Sequence, residues 1–104
     1  MTTITDLSVT FEMIAEGHSG AGNKGEDLVC CAISTLMYTL EESLQRFNIP
    51  TKVTLQDGFF RVCAFPSLES RGRADIIFKT IGAGLEHMSL QYPDNVKYLK
   101  KGEK

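Results

Sequence analysis

His18 and Cys30 are a pair of residues whose types could do covalent chemistry together. An imidazole can take the proton of a thiol, and the thiolate left behind is a strong nucleophile. The joining stretch reads Gly17-His18-Ser19-Gly20-Ala21-Gly22-Asn23-Lys24-Gly25-Glu26-Asp27-Leu28-Val29-Cys30. Gly17, Gly20, Gly22 and Gly25 would each weaken a helix or strand, so residues 17–25 read as a loop that can fold back. Asp27 then reads as the N-cap of an apolar helix, its carboxylate accepting orphan amides of the first turn. Cys30 falls in that first turn, where unpaired amides and the helix dipole favour a thiolate. A protonated His18 nearby would favour it further, and the Asp27 charge opposes it unless the carboxylate is occupied by capping or by orienting the imidazole. Backbone amides from Gly25 to Cys31 are candidate oxyanion donors.

The competing reading is structural. Free cysteine behaves as a small hydrophobe, and a Cys-Cys pair on an apolar helix packs well as core. Cys31 lies about 100° round the helix from Cys30, so both cannot face one site, and Cys31 reads as the structural one. Cys63 falls in a strand and reads as packing. His87, beside Glu86, reads as a surface residue. There is no Cys-x-x-Cys and no His-x-x-x-His, so neither a metal site nor a cofactor is expected.

The elements that must position this pair follow from the pattern. Ile4, Leu7, Val9, Phe11, Met13 and Ala15 recur with a period near two, so residues 3–16 read as strand, with a bend or a short first strand at Asp6. Residues 27–47 read as a helix with a stripe of Val29, Ile33, Leu36, Met37, Leu40, Leu44 and Phe47, ended by Asn48 and Pro50. Its first half is apolar nearly all round and calls for cover on more than one side. Residues 51–65 read as a hairpin about Asp57-Gly58. A second helix opens at Ser67 or Ser70 and runs to about Gln91, with Ala74, Ile77, Ile81, Leu85 and Met88 on one stripe and Phe78 beside it. Gly82 and Gly84 either weaken it or permit close packing. Val96, Tyr98 and Leu99 suggest a last short strand. The expected fold class is α+β: a single mixed or antiparallel sheet carrying two helices, in the order strand(s), helix, hairpin, helix, strand.

Composition sets the outer bounds. A chain of 104 residues reads as one domain, 1–104, with 42% hydrophobic and 23% charged residues, ordinary values for a soluble globular protein. With 11 basic against 13 acidic residues and no basic stripe, nucleic acid is not an expected direct partner. Lys97, Lys100, Lys101 and Lys104 read as a solvated tail. The first residues lack a basic region and a long apolar core, and no run approaches the ~18 apolar residues of a membrane span. Three cysteines, two of them adjacent, do not make a disulfide framework. The expectation is a cytoplasmic protein with reduced thiols.

The constellation resembles the ribosomal-processing cysteine protease family, Prp. That family's pattern reads approximately Gly-His-Ala, a variable loop, then Gly-x-Asp-Ile-Val-Cys-Ala-Ala-Val-Ser. Here it is met by Gly17-His18, Gly25-x-Asp27-Leu28-Val29-Cys30 and Ser34, with a similar His-to-Cys spacing. Val53 to Val62 looks like the family's hairpin. Gly84-Leu85 and Gln91-Tyr92-Pro93 look like the end of its second helix. The resemblance implies a homodimeric α+β fold and a Cys/His endopeptidase. It implies a substrate too, the short N-terminal extension of a large-subunit ribosomal protein, or a phage protein with a similar cleavage sequence. It makes Cys30 the nucleophile and His18 the general base, with Gly17, Gly25, Asp27 and Ser34 supporting the site or holding substrate. It makes residues 19–25 a gate. Ser19 and Cys31 depart from the pattern by small changes, and the region before Gly17 looks shorter than the family's two full strands. The alternatives are a non-enzymatic ribosome-associated binding module that keeps the fold, and a purely structural domain with Cys30 as core.

Overall fold

The structure is a computed structural model and describes residues 1–17 and 24–102, with residues 24–27 described by their backbone alone. β1 (Thr2–Leu7) and β2 (Glu12–Glu16) are followed by α1 (Lys24–Arg46), β3 (Thr51–Gln56), β4 (Phe59–Ala64), α2 (Arg71–Gln91) and β5 (Val96–Lys100). The five strands form one mixed sheet in the order β3-β4-β2-β1-β5. β1 pairs antiparallel with β2 and parallel with β5. This is the expected α+β class and element order.

Two full strands therefore precede Gly17, and the expectation of a shortened N-terminal region is wrong. The reversal that the alternation hides is a 3-10 turn over Ser8–Thr10. Phe11 closes it at φ 59, a left-handed conformation with no glycine to ease it. Its neighbours over-determine it: its N–H returns to Ser8 O, its carbonyl accepts from Ala64 N, and its ring meets Phe78 edge-on at 6.0 Å. Val9, counted in the apolar alternation, sits on this turn and is exposed.

α1 buries Val29, Ile33, Met37, Leu40 and Leu44, the predicted stripe, against the sheet and α2. Phe47 belongs to that stripe by spacing but is exposed, because the helix ends at Arg46. The stop is where the sequence puts it. Asn48 takes φ 58 and its N–H bonds Gln45 O, while Ile49 N–H returns to Leu44 O at 2.9 Å. That is a Schellman cap, with Ile49 and Leu44 both buried beneath it. Gly58 supplies the positive φ of the β3–β4 turn. α2 opens after Ser70, whose hydroxyl pairs with Ser67 and makes no side-chain cap.

The glycines of α2 serve close packing. A Cβ on Gly84 would lie 3.1 Å from the Leu36 side chain, so this residue sets the approach of the two helices. A Cβ on Gly82 would lie 2.9 Å from Asp6 Oδ2. Asp6 is buried on β1, where it accepts hydrogen bonds from Ser8 N, Ser8 Oγ and the Tyr98 hydroxyl. A buried carboxylate without such donors would cost several kcal/mol. Here it ties the β1 turn to β5 beneath the helix.

Candidate active site

Cys30 is half-buried on the sheet-facing side of α1. A cavity of about 240 Å³ opens beside it, walled by α1, the start of β1, the end of β2 and the β3–β4 turn. Gly17, Cys30 and Ser34 all line this cavity, so the fold brings together three of the sequence-predicted site residues. Ser34 is exposed, one helical turn beyond Cys30. His18 lies outside the described residues, as does the side chain of Asp27 and the part of the expected gate from residue 19 to 23.

The start of α1 corrects the local reading. The helix begins at Lys24, so Gly25 belongs to its first turn and not to a loop, and Asp27 is not its N-cap. Cys30 then stands in the second turn. Its own amide is an intrahelical donor, and the amides without a partner inside the helix are those of residues 24–27. The helix dipole acts within the first turn and fades beyond it. Cys30 therefore draws less from the helix start than a first-turn position would give.

Gly17 is the fixed post of this site. It takes φ +127, and its N–H donates to Gly58 O at 2.9 Å. A Cβ there would lie 2.2 Å from Met1 O and 3.1 Å from Thr2 Cα. Only glycine lets the end of β2 pass so close to the start of β1. The residue preceding His18 is thus clamped between β1 and the β3–β4 turn.

The other thiols separate clearly. Cys31 is exposed, so its reading as a core residue is wrong. Cys63 is buried, and that burial, reinforced by Glu12, pushes its thiol above the usual range and keeps it protonated. Sequence reasoning missed Thr2, Glu16 and the tip of the hairpin as cavity residues. Asp57-Gly58 was legible as a turn, but nothing local says that the turn overhangs a thiol. Thr2 carries no signal at all, since 28 positions separate it from Cys30.

The family model described as cysteine protease Prp matches residues 2–97. The chain belongs to the Prp family of cysteine proteases. Prp from S. aureus, an essential ribosomal processing protease, has a similar fold. Its structure with a covalently linked product peptide aligns with a TM-score of 0.78 at 19% identity, covering 97% of this chain and 100% of that one. Its structure with a substrate peptide aligns at 0.76 and 19% identity, covering 96% and 97%. A protein from Streptococcus mutans aligns at 0.69 and 20% identity, covering 96% and 93%. No curated protein matches the sequence significantly. Membership in the Prp family makes this chain a cysteine protease. Among the described residues, no helix is long and apolar enough to cross a membrane.

Proposed function

We propose that this protease is an endopeptidase that removes the short N-terminal extension of a large-subunit ribosomal protein, or cleaves a phage protein of similar sequence. Cys30 is the nucleophile and His18 its general base. The observation that carries the reading is the placement of Cys30, a half-buried thiol opening on a cavity of about 240 Å³ in a chain of the Prp family. Buried Cys63 and outward-facing Cys31 lack that setting.

The steps follow from the groups. His18 takes the Cys30 proton, and the thiolate adds to the scissile carbonyl carbon. The tetrahedral oxyanion is met by backbone amides at the start of α1. The amine leaves with the proton from the imidazolium, giving a thioester. Water, deprotonated by His18, releases the acid and restores the thiol. Gly17 fixes the chain before His18, Gly25 gives the first helical turn a bare backbone, and Asp27 and Ser34 support the site or the substrate. The S. aureus structures with substrate and product peptides support a peptide substrate. The binding-module alternative has no use for a thiol so placed in a protease family.

A peptide spanning the extension and the mature start of the ribosomal protein should be cut at one bond, read by mass spectrometry. His18→Ala should lower the rate by about 10²–10⁴-fold, the usual worth of a general base. An uncut peptide, or an unimpaired His18→Ala, would overturn the reading.

The protein acts as a homodimer in this proposal. Leu28 is 72% exposed and Tyr38 47% exposed on α1, and Ile76 is 66% exposed on α2. These apolar side chains stand open to solvent on the two helices, where a second copy of the chain could cover them. Light scattering at micromolar concentration should report twice the chain mass, and a stable monomer would count against the dimer.

A further inference from the structure

Thr2 Oγ1 lies 3.9 Å from Cys30 Sγ. We propose that the Thr2 hydroxyl donates a hydrogen bond to the Cys30 thiolate and holds its sulfur in the attacking position. The inference rests on Cys30 being the nucleophile.

Three observations converge on it. Thr2 is only 6% exposed and lines the cavity that Cys30 opens on. Its backbone is locked, with its N–H donating to Asn95 O at 2.8 Å and its position in register with Val96 of β5. Gly17 packs closely against its Cα at the β1–β2 edge of the cavity. The hydroxyl is therefore presented to the sulfur by a rigid sheet. A thiolate can only accept, so Thr2 is the donor in the reactive state. The distance is at the long end for sulfur, as expected of a free enzyme whose catalytic contacts tighten on substrate. The need is also specific: Cys30 sits in the second turn of α1, where the dipole has faded and a direct donor counts for more.

A hydrogen bond to a thiolate has a signature that mere packing lacks. It raises the thiolate population but makes each thiolate less nucleophilic. Removing a hydrogen bond to a charged group lowers the thiolate population about tenfold where the thiol is mostly protonated. The freed thiolate gains about threefold in nucleophilicity. Glu16 from β2 and Asp57 from the β3–β4 turn line the same cavity, and both are identical in parent and variant. Lys24, Glu26, Asp27 and His18 are likewise unchanged between parent and variant, so their charges cancel in the comparison.

The test is iodoacetamide alkylation of Cys30 at about pH 7 and about pH 10, in a Cys31→Ala background that removes the exposed neighbour. Thr2→Val should react about threefold more slowly than the parent at the lower pH and about threefold faster at the higher. Thr2→Ala, which lacks the hydroxyl and asks for less space, should show the same crossover. Thr2→Ser should stay within about twofold of the parent at both. Circular dichroism confirms that each variant is folded. Equal rates for parent and Thr2→Val, slowing by one factor at both pH values, or a Thr2→Ser as altered as Thr2→Val would each overturn the inference. Alkylation does not depend on peptide cleavage. Flat alkylation in an enzyme that needs Cys30 sinks only the Thr2 role, whereas cleavage surviving in Cys30→Ala sinks the nucleophile assignment.

Discussion

Replacement of Cys30 by alanine should abolish peptide cleavage and leave the fold intact. The expected loss is about 10⁴-fold or more, because without the thiol no thioester can form. The fold should survive because Cys30 is half-buried at a cavity rather than locked in the core, and alanine is the better helix former. Cys31→Ala is the matched control, one residue away on the same helix but exposed. It should retain most of the activity. Cleavage of the extension peptide, followed by mass spectrometry beside circular dichroism, reads both variants. Equal loss from the two changes, or full activity in Cys30→Ala, would remove Cys30 from the mechanism.

Gly17→Ala should be the most damaging of the glycine substitutions around the site, in stability and activity together. The new methyl would have to enter 2.2 Å from a backbone oxygen, at a residue held at φ +127. Neither Met1 nor the β3–β4 turn can yield as a side chain would, since both contacts are with main chain. Strain and overpacking together come to about 2–4 kcal/mol. For a chain of this size that is a fall of about 10 °C or more in Tm. Activity should drop further than stability, because the clamped residue lines the cavity and precedes His18. Gly72→Ala provides the contrast: nothing lies within 4 Å of its added methyl, and it sits in α2, where alanine is favoured. Thermal melts should move in opposite directions for the two variants, and an unchanged Tm in Gly17→Ala would refute the clamp.

Much of this architecture was legible because it is written at short range. The i, i+3, i+4 spacing from Val29 to Leu44 found the buried face of α1, and the same spacing in α2 found Ala74, Ile81 and Leu85. Asn48 stopped the first helix and Asp57-Gly58 turned the hairpin, since each needs a backbone conformation that few residues accept. The family motif joined Gly17, Cys30 and Ser34, and the cavity contains all three.

The rest depends on contacts between distant parts of the chain. Alternation from Ile4 to Ala15 looks the same in one long strand and in two paired ones. The split at Phe11 is held by Ala64 and Phe78, residues far along the chain. The early start of α1 overrode Gly25, which read as loop, and it moved Cys30 from the first turn to the second. Cys30 and Cys31 are chemically identical, and only the packing of α1 decides which faces the cavity and which faces solvent. Thr2 reaches Cys30 because β1 lies between β2 and β5, a register fixed by long-range strand pairing. The sequence by itself determined the element types, the family and the residues with chemical potential, because propensity, periodicity and motif act locally. Tertiary structure decided which thiol is presented, what stands across the cavity from it and why residue 17 must be glycine, because those follow from where the sheet places one segment against another.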